Sequence, residues 1–470
     1  MRYDFDVICI GLGPAGMAVS VMASEMGLTV CAIEKNKIGG ECMNTGCIPS
    51  KGLLRMAHLR GGLRRLPEHE LGAVAEPAIG GIFKKIQRDI TFINDHKTRK
   101  MLKSVELILG QGSARFTAPH TVEAGGRTIT GRRIFICTGT KTVIPPIPGI
   151  ADIPVLTNEN VFLLERVPSS MIIIGGGATG CELAQAFALL GSTVSIVHMD
   201  DHLIPIAESD AGALIEDVFT KQGITVLNKR HIARVEKTTM GVRLITAEGE
   251  TLEAQKLLVA AGKHFVPDDL GLTTAGIAYT PKGITVNHHL QTTRPHIYAA
   301  GDCNGHIMLS HAAMHQGMLA LMNSMLPWPF KMNFRSYPIP WTIFTQPEIS
   351  QVGLCGKSLA KKGVPHEVVE SKYADYGAAI AENSTTGFLR AFMSTTGRIY
   401  GAVIVGEGSG EMINEWTLAI QHKLRITDIM LTAHSFPTMG FLTKRVSESW
   451  MMNKMRLPLV QKLCQWAFRL

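Results

Sequence analysis

The sequence predicts an α/β fold with two Rossmann-type dinucleotide-binding units in one chain. Two observations carry that prediction: a strand, glycine turn and helix that open the chain, and a second copy of the same unit beginning at Ser170. A third is length: 470 residues without a disordered-looking tract exceed one ordinary hydrophobic core and divide into two to four domains.

"DVICI" (Asp6 to Ile10) is a short apolar run that reads as a buried strand. "GLGPAG" then sets Gly11, Gly13 and Gly16 in the G-x-G-x-x-G spacing before an alanine-rich helix, and "LTVCAIE" supplies a second strand ending in Glu34. Each part has a chemical task. The glycines let backbone approach a pyrophosphate at a helix N-terminus, and an acid about 20 residues on accepts hydrogen bonds from a ribose. The glycine spacing alone is a weak signal, whereas strand, glycines, helix, strand and acid in that order form a strong one. The second copy, "SMIIIGGGATGCELAQAFALLGSTVSIVH", places Gly175, Gly177 and Gly180 after the strand Met171 to Ile174, with a further strand through Val197. Two such units predict two dinucleotides, one a flavin and the other a nicotinamide.

Composition excludes several classes. Apolar residues at 46% and charged residues at 18% give a globular balance. The net charge of +8 is modest for this length, and no basic stripe is interleaved with aromatics, so no nucleic-acid partner is expected. The chain opens on a strand rather than a signal peptide, and no apolar run is long enough to span a bilayer, which predicts a cytoplasmic protein. In that reducing compartment nine cysteines do not make a disulfide framework. Cys9, Cys31, Cys137, Cys181, Cys303 and Cys355 stand singly and read as small buried hydrophobes. Cys42 and Cys47, in "GGECMNTGCIPSKGLL", are the close pair, to be read as a structural staple, a metal clip or a reacting disulfide.

The order of motifs, over essentially the whole chain, resembles the flavin-dependent pyridine nucleotide-disulfide oxidoreductases, the family of dihydrolipoamide dehydrogenase, glutathione reductase and mercuric reductase. The first unit is similar to the family's FAD site, and "ICTGTKTVIPPIPG" (Ile136 to Gly149) to the segment that leaves the FAD domain. "TTRPHIYAAGDC" (Thr292 to Cys303) is similar to the second FAD motif, where the resemblance implies that Asp302 contacts the ribityl or phosphate region. Cofactor contacts are implied also at Gly40, Lys51, Gly139, Gly301 and Gly262. "YPIPWTIFTQPEISQVGL" (Tyr337 to Leu354) resembles the start of a dimerisation domain. The implied organisation is an FAD-binding domain over 1–150, an NAD(P)-binding domain over 151–275, FAD-binding again over 276–335 and an α+β dimerisation domain over 336–470, assembled as a homodimer.

In the family the segment matching Cys42 and Cys47 is the redox disulfide. The resemblance makes Cys47 the flavin-proximal thiol and Cys42 the thiol that exchanges with substrate. Bridging positions i and i+5 requires an irregular turn, which Asn44 and Gly46 tolerate. Cys47 then opens a helix with Pro49 near its first turn, and helix-start N–H groups together with Lys51 are expected to lower its pKa. A metal clip would need further local ligands, and none precedes His58, so no resident metal is expected. The resemblance also pairs Lys51 with Glu182 beside the flavin.

Three departures qualify the resemblance. Relatives that act on small dithiols carry a histidine and a glutamate in an "HPTxxE"-like segment, which reaches the partner subunit's disulfide as a general base. Here that segment is "HSFPTMGF" (His434 to Phe441), with Phe436 at the base position and Phe441 at its carboxylate partner's. Phenylalanine takes no proton. His434 is the candidate replacement base, against the plainer reading of a polar loop residue. Mercuric reductase also carries a C-terminal cysteine pair, where this chain has only Cys464.

The second departure is His198, which follows the second unit's strand where an acid would favour NAD and arginines NADP. With Gly180 as the third glycine, NADH is expected over NADPH. The third is the tail, "LPLVQKLCQWAFRL", whose apolar residues recur at helical spacing in a basic segment. Such a helix can lie at the periphery of an anionic membrane, or pack on its own domain or the partner subunit, the commoner outcome.

The sequence thus points to an FAD-dependent homodimer that takes electrons from NAD(P)H and passes them through Cys42 and Cys47 to an acceptor needing little base catalysis: a protein disulfide, a lipoyl-type group, a metal ion or a quinone. The rivals are a dihydrolipoamide dehydrogenase using His434 as base, and a redox-sensing or partner-docking flavoprotein without sustained turnover.

Overall fold

The computed structural model describes residues 2–267 and 270–470. The chain separates into two compact units. The first takes the segments up to Gly61, Glu76–Met199 and Lys229–Ser336, and the second takes Gly62–Ala75, Asp200–Asn228 and Tyr337–Leu470.

The first unit holds two parallel sheets, each built round a glycine turn. In one, the strand Phe5–Ile10 lies between Val30–Glu34 and Arg127–Ile136, with Glu106–Leu109 on one side and Ile297–Ala299 on the other, all parallel. Val7, Ile8, Cys9 and Ile10 are all buried, as expected for a central strand covered on both faces. The helix Pro14–Glu25 packs on this sheet and meets the helix Ser310–Met325 so closely that a Cβ on Gly317 would lie 2.4 Å from the Ala15 carbonyl oxygen. The other parallel sheet sets Ser170–Ile174 between Lys256–Val259 and Thr193–Val197, and its helix Ala178–Leu189 is buried over most of its length. The two parallel sheets reproduce the two predicted dinucleotide-binding units.

The second unit is a five-stranded antiparallel sheet, in the order Trp341–Ile343, Ile349–Gly353, Ile399–Val405, Phe388–Met393 and Glu367–Lys372. The helices Ser409–Gln421 and Phe441–Met455 supply Trp416, Leu442 and Val446 to a core that also takes in Tyr373 and Tyr376. The six singly placed cysteines, Cys9, Cys31, Cys137, Cys181, Cys303 and Cys355, are all buried. No helix among the described residues is long and apolar enough to cross a membrane.

Candidate functional site

The two glycine turns are built alike. Gly11 has φ +97, and a Cβ there would strike the Cys137 carbonyl oxygen at 2.4 Å; Gly175 has φ +117 and meets the Ala260 carbonyl oxygen at the same distance. Gly16 and Gly180, one turn into the helices, sit against the carbonyl oxygens of Gly11 and Gly175, so no side chain fits at either. Gly13 and Gly177 are the N-cap residues, extended and without a side-chain cap, and open space surrounds the place a Cβ would take. An uncapped helix start with clear space before it is an anion cradle. Gly139 and Gly262 also have positive φ and open surroundings.

Glu34 is buried at the end of its strand and accepts from the backbone N–H of Leu12 at 2.8 Å and of Asn36 at 2.8 Å. Asp302 opens the short turn after Gly301, and burial pushes its carboxyl above the usual range while the Lys263 ammonium opposes the rise. The Thr140 hydroxyl donates to it at 3.4 Å. A helix start for a pyrophosphate, the buried Glu34 and the half-buried Asp302 for hydroxyl donors form a donor and acceptor set that fits FAD. At the second glycine turn the His198 ring is buried and packs against the loop, 2.8 Å from where a Cβ on Gly176 would lie.

Cys42 lies in the short helix Gly40–Asn44, and Cys47 opens the helix Cys47–Arg64. The break between them falls at Thr45 and Gly46, where a Cβ on Gly46 would come 3.0 Å from the Glu41 carbonyl oxygen. The Asn44 side chain holds the short helix by donating to the carbonyls of Ile38 and Gly40. Both cysteines are thiols here, half-buried. The Cys42 thiol donates to Cys47, and that hydrogen bond is the main reason the Cys47 pKa falls to about 6. Ser310, whose hydroxyl is 3.2 Å from Cys47 Sγ, adds to the lowering, and the Lys51 ammonium contributes less. The Cys42 thiol is correspondingly pushed far up. The sequence pointed to the helix start and Lys51 as the causes; the stronger ones are the partner thiol and a serine 263 positions away.

Lys51 Nζ lies 2.8 Å from Glu182 Oε2 and 3.1 Å from Oε1, the carboxylate being only 7% exposed. The pair links the helix Cys47–Arg64 to the helix Ala178–Leu189. Four residues not singled out in the sequence form a chain of contacts beside Cys42. Glu41 accepts from the Lys263 ammonium and, at 2.9 Å, from Asn158 Nδ2, and Asn158 Oδ1 accepts from the Thr142 hydroxyl at 2.6 Å. The only sequence signal for them was a charge inserted directly before Cys42.

In the second unit, Phe436 is 70% exposed and meets Phe441 edge-on at 5.2 Å, while Phe441 stacks on Tyr376. His434 is engaged on both ring nitrogens: Nε2 lies 2.9 Å from Glu415 Oε1 and Nδ1 3.0 Å from the Thr432 carbonyl oxygen. Glu415, on the helix Ser409–Gln421, is its carboxylate partner in place of the residue at Phe441. Among the described residues no group of three His, Cys, Asp or Glu side chains is placed to hold a metal ion.

Two glycine-turn sheets, a half-buried thiol pair and an antiparallel C-terminal sheet define a flavoprotein disulfide oxidoreductase. Comparison with known proteins agrees: residues 5–317 match the pyridine nucleotide-disulphide oxidoreductase family, and residues 339–445 match that family's dimerisation domain, which indicates a homodimer. The chain belongs to this family, and it is an FAD-dependent NAD(P)H disulfide oxidoreductase of the dihydrolipoamide dehydrogenase-like kind. It is 31% identical to dihydrolipoyl dehydrogenase of Chlamydia pneumoniae, over 94% of this chain and 95% of that one. It is 29% identical to mercuric reductase of Bacillus cereus, over 93% and 70% respectively. Among solved structures it is similar to the HOCl-induced flavoprotein disulfide reductase RclA from Escherichia coli, with a TM-score of 0.85, 26% identity and coverage of 94% and 99%. A Cu(II) complex of that reductase has the same TM-score and identity.

Proposed function

We propose that the protein uses NADH to reduce a thiophilic metal ion, of which Cu(II) is the representative, through the Cys42 and Cys47 dithiol. The observation that carries this reading is the exposed Phe436 at the family's base position, beside a His434 whose two nitrogens are taken up by Glu415 and Thr432. A dithiol substrate needs a base to remove its proton. A reducible metal ion needs no proton removed and meets a thiolate directly, and Cys47 is one above about pH 6. The Cu(II) complex of RclA supports the same acceptor class.

Bound FAD would supply two-electron transfer, taking the hydride of the nicotinamide and delivering its electron pair to the disulfide. The chain does the rest. The helix starts at Gly13 and Gly177 bind the pyrophosphates, and Glu34 and Asp302 take hydroxyl protons in hydrogen bonds. Lys51, fixed by Glu182, holds a positive charge beside Cys47. The reduced pair holds its remaining proton on Cys42 Sγ and its negative charge on Cys47 Sγ. When two one-electron cations each accept one electron, the sulfur–sulfur bond reforms and the Cys42 proton leaves to solvent. NADH is preferred over NADPH because Gly180 is the third glycine of the turn, and the strand Thr193–Val197 is followed in the chain by His198, Met199 and Asp200 rather than by a run of arginines.

A second reading, oxidation of dihydrolipoamide with His434 as base, is favoured by the 31% identity to a dihydrolipoyl dehydrogenase. Steady-state NADH oxidation separates the two. Cu(II)-dependent turnover that yields a chelatable Cu(I) signal and is lost in Cys42→Ser supports the metal reading. Dihydrolipoamide turnover that is lost in His434→Gln, with no copper-dependent rate, replaces it with the second.

A further inference from the structure

The helix Pro458–Phe468 lies beyond residue 445, where the match to the dimerisation domain ends, and none of its residues is buried. At 3.6 residues per turn, Leu459, Leu463 and Trp466 fall on one stripe that Leu470 continues, with Val460 and Ala467 along one edge. Lys462 and Arg469 fall along the other edge. Phe468 departs from the pattern and points to the polar face. Trp466 is 63% exposed and Leu463 55%, so the stripe is open to solvent rather than packed.

Charge decides what can cover it. From Arg456 to the end of the chain the charged residues are Arg456, Lys462 and Arg469, all exposed, with no acid among them. By contrast Lys454, one turn earlier, is committed to Glu367. A second copy of the helix laid antiparallel on the stripe would oppose the basic edge to itself, cation to cation. An anionic lipid surface offers the complement on both counts, phosphates at the basic edge and an acyl boundary under the leucines. Tryptophan favours that boundary. With 11 residues the helix is about 16 Å long, enough to lie in the interface and too short to cross it.

We propose that the helix Pro458–Phe468 is a peripheral membrane anchor, lying in the headgroup region of an anionic bilayer with Leu459, Leu463 and Trp466 in the acyl boundary and Lys462 and Arg469 on lipid phosphates. This holds whichever acceptor the dithiol serves. The test is sedimentation of the full-length holoenzyme with vesicles of phosphatidylglycerol and phosphatidylcholine, and with phosphatidylcholine alone. Expected are co-sedimentation with the anionic vesicles only, release by salt, and a blue shift of tryptophan emission. Lys462→Ala and Arg469→Ala, exposed charges whose removal leaves folding intact, should each weaken binding about fivefold. Leu463→Glu with Trp466→Glu should abolish it while NADH oxidation with a soluble acceptor persists. Failure to sediment with anionic vesicles, equal binding to phosphatidylcholine alone, or binding undiminished by Leu463→Glu with Trp466→Glu would overturn the proposal. So would a Trp466 already shielded from a soluble quencher without vesicles, since that places the stripe against a second copy.

Discussion

Ser310 Oγ lies 3.2 Å from Cys47 Sγ, so a hydroxyl at the start of the helix Ser310–Met325 supports a thiolate at the start of the helix Cys47–Arg64. Cys47 ionises at about 6, well below the ordinary thiol range, because the Cys42 thiol, Ser310 and Lys51 all stabilise its charged form. The thiolate is therefore present at pH 7 and is lost as pH falls through about 6. In the reduced protein, the long-wavelength thiolate-to-flavin absorbance should follow that titration, with an apparent pKa belonging to the pair. Ser310→Ala should move the loss of the band to higher pH. An unmoved titration in that variant would remove Ser310 from the account.

The Lys51 and Glu182 pair predicts an asymmetric response. Lys51→Met leaves a carboxylate that is 7% exposed without its cation, and breaking such a pair costs about 1–3 kcal/mol of stability. The double variant with Glu182→Leu should recover much of that loss, since an apolar replacement removes the stranded charge. Thermal unfolding of the four proteins in a double-mutant cycle measures the coupling.

Phe436 separates the two proposed readings by a gain-of-function test. Phe436→His together with Phe441→Glu restores a base and its carboxylate at the family's positions, and dihydrolipoamide oxidation should rise by about 10²-fold. The check is the ratio of dihydrolipoamide turnover to Cu(II)-dependent turnover in the variant and the parent.

Gly317 tests the packing under the FAD motif. Because a Cβ would lie 2.4 Å from the Ala15 carbonyl oxygen, Gly317→Ala forces the helices Pro14–Glu25 and Ser310–Met325 apart. Overpacking of this kind costs about 1–3 kcal/mol. A lowered midpoint of thermal unfolding and weaker retention of the yellow cofactor are expected, and Gly62→Ala, where a Cβ meets open space, is the control.

Much of this was legible in the sequence, for a physical reason. Gly16 and Gly180 lie against the carbonyls of Gly11 and Gly175 within one turn, and Gly11 and Gly175 take a positive φ, so local spacing reveals both glycine turns. The Lys51 and Glu182 pair, 131 positions apart, came from the family resemblance and has no local signature. Ser310, Lys263 and Asn158 were missed because only the tertiary fold brings them to the thiols and to Glu41. Glu415 was missed for the same reason: "HSFPTMGF" shows that a carboxylate has gone from Phe441, and nothing in it shows that another helix supplies one to His434.

The most direct test of the relay through Cys42 and Cys47 is anaerobic titration of the purified protein with NADH, followed by its visible spectrum. The account predicts that the first equivalent of NADH raises a long-wavelength thiolate-to-flavin band in the wild-type protein. Immediate bleaching of the flavin, with no such band and with the same course in Cys42→Ser and Cys47→Ser, would show that the pair takes no electrons and would contradict the account.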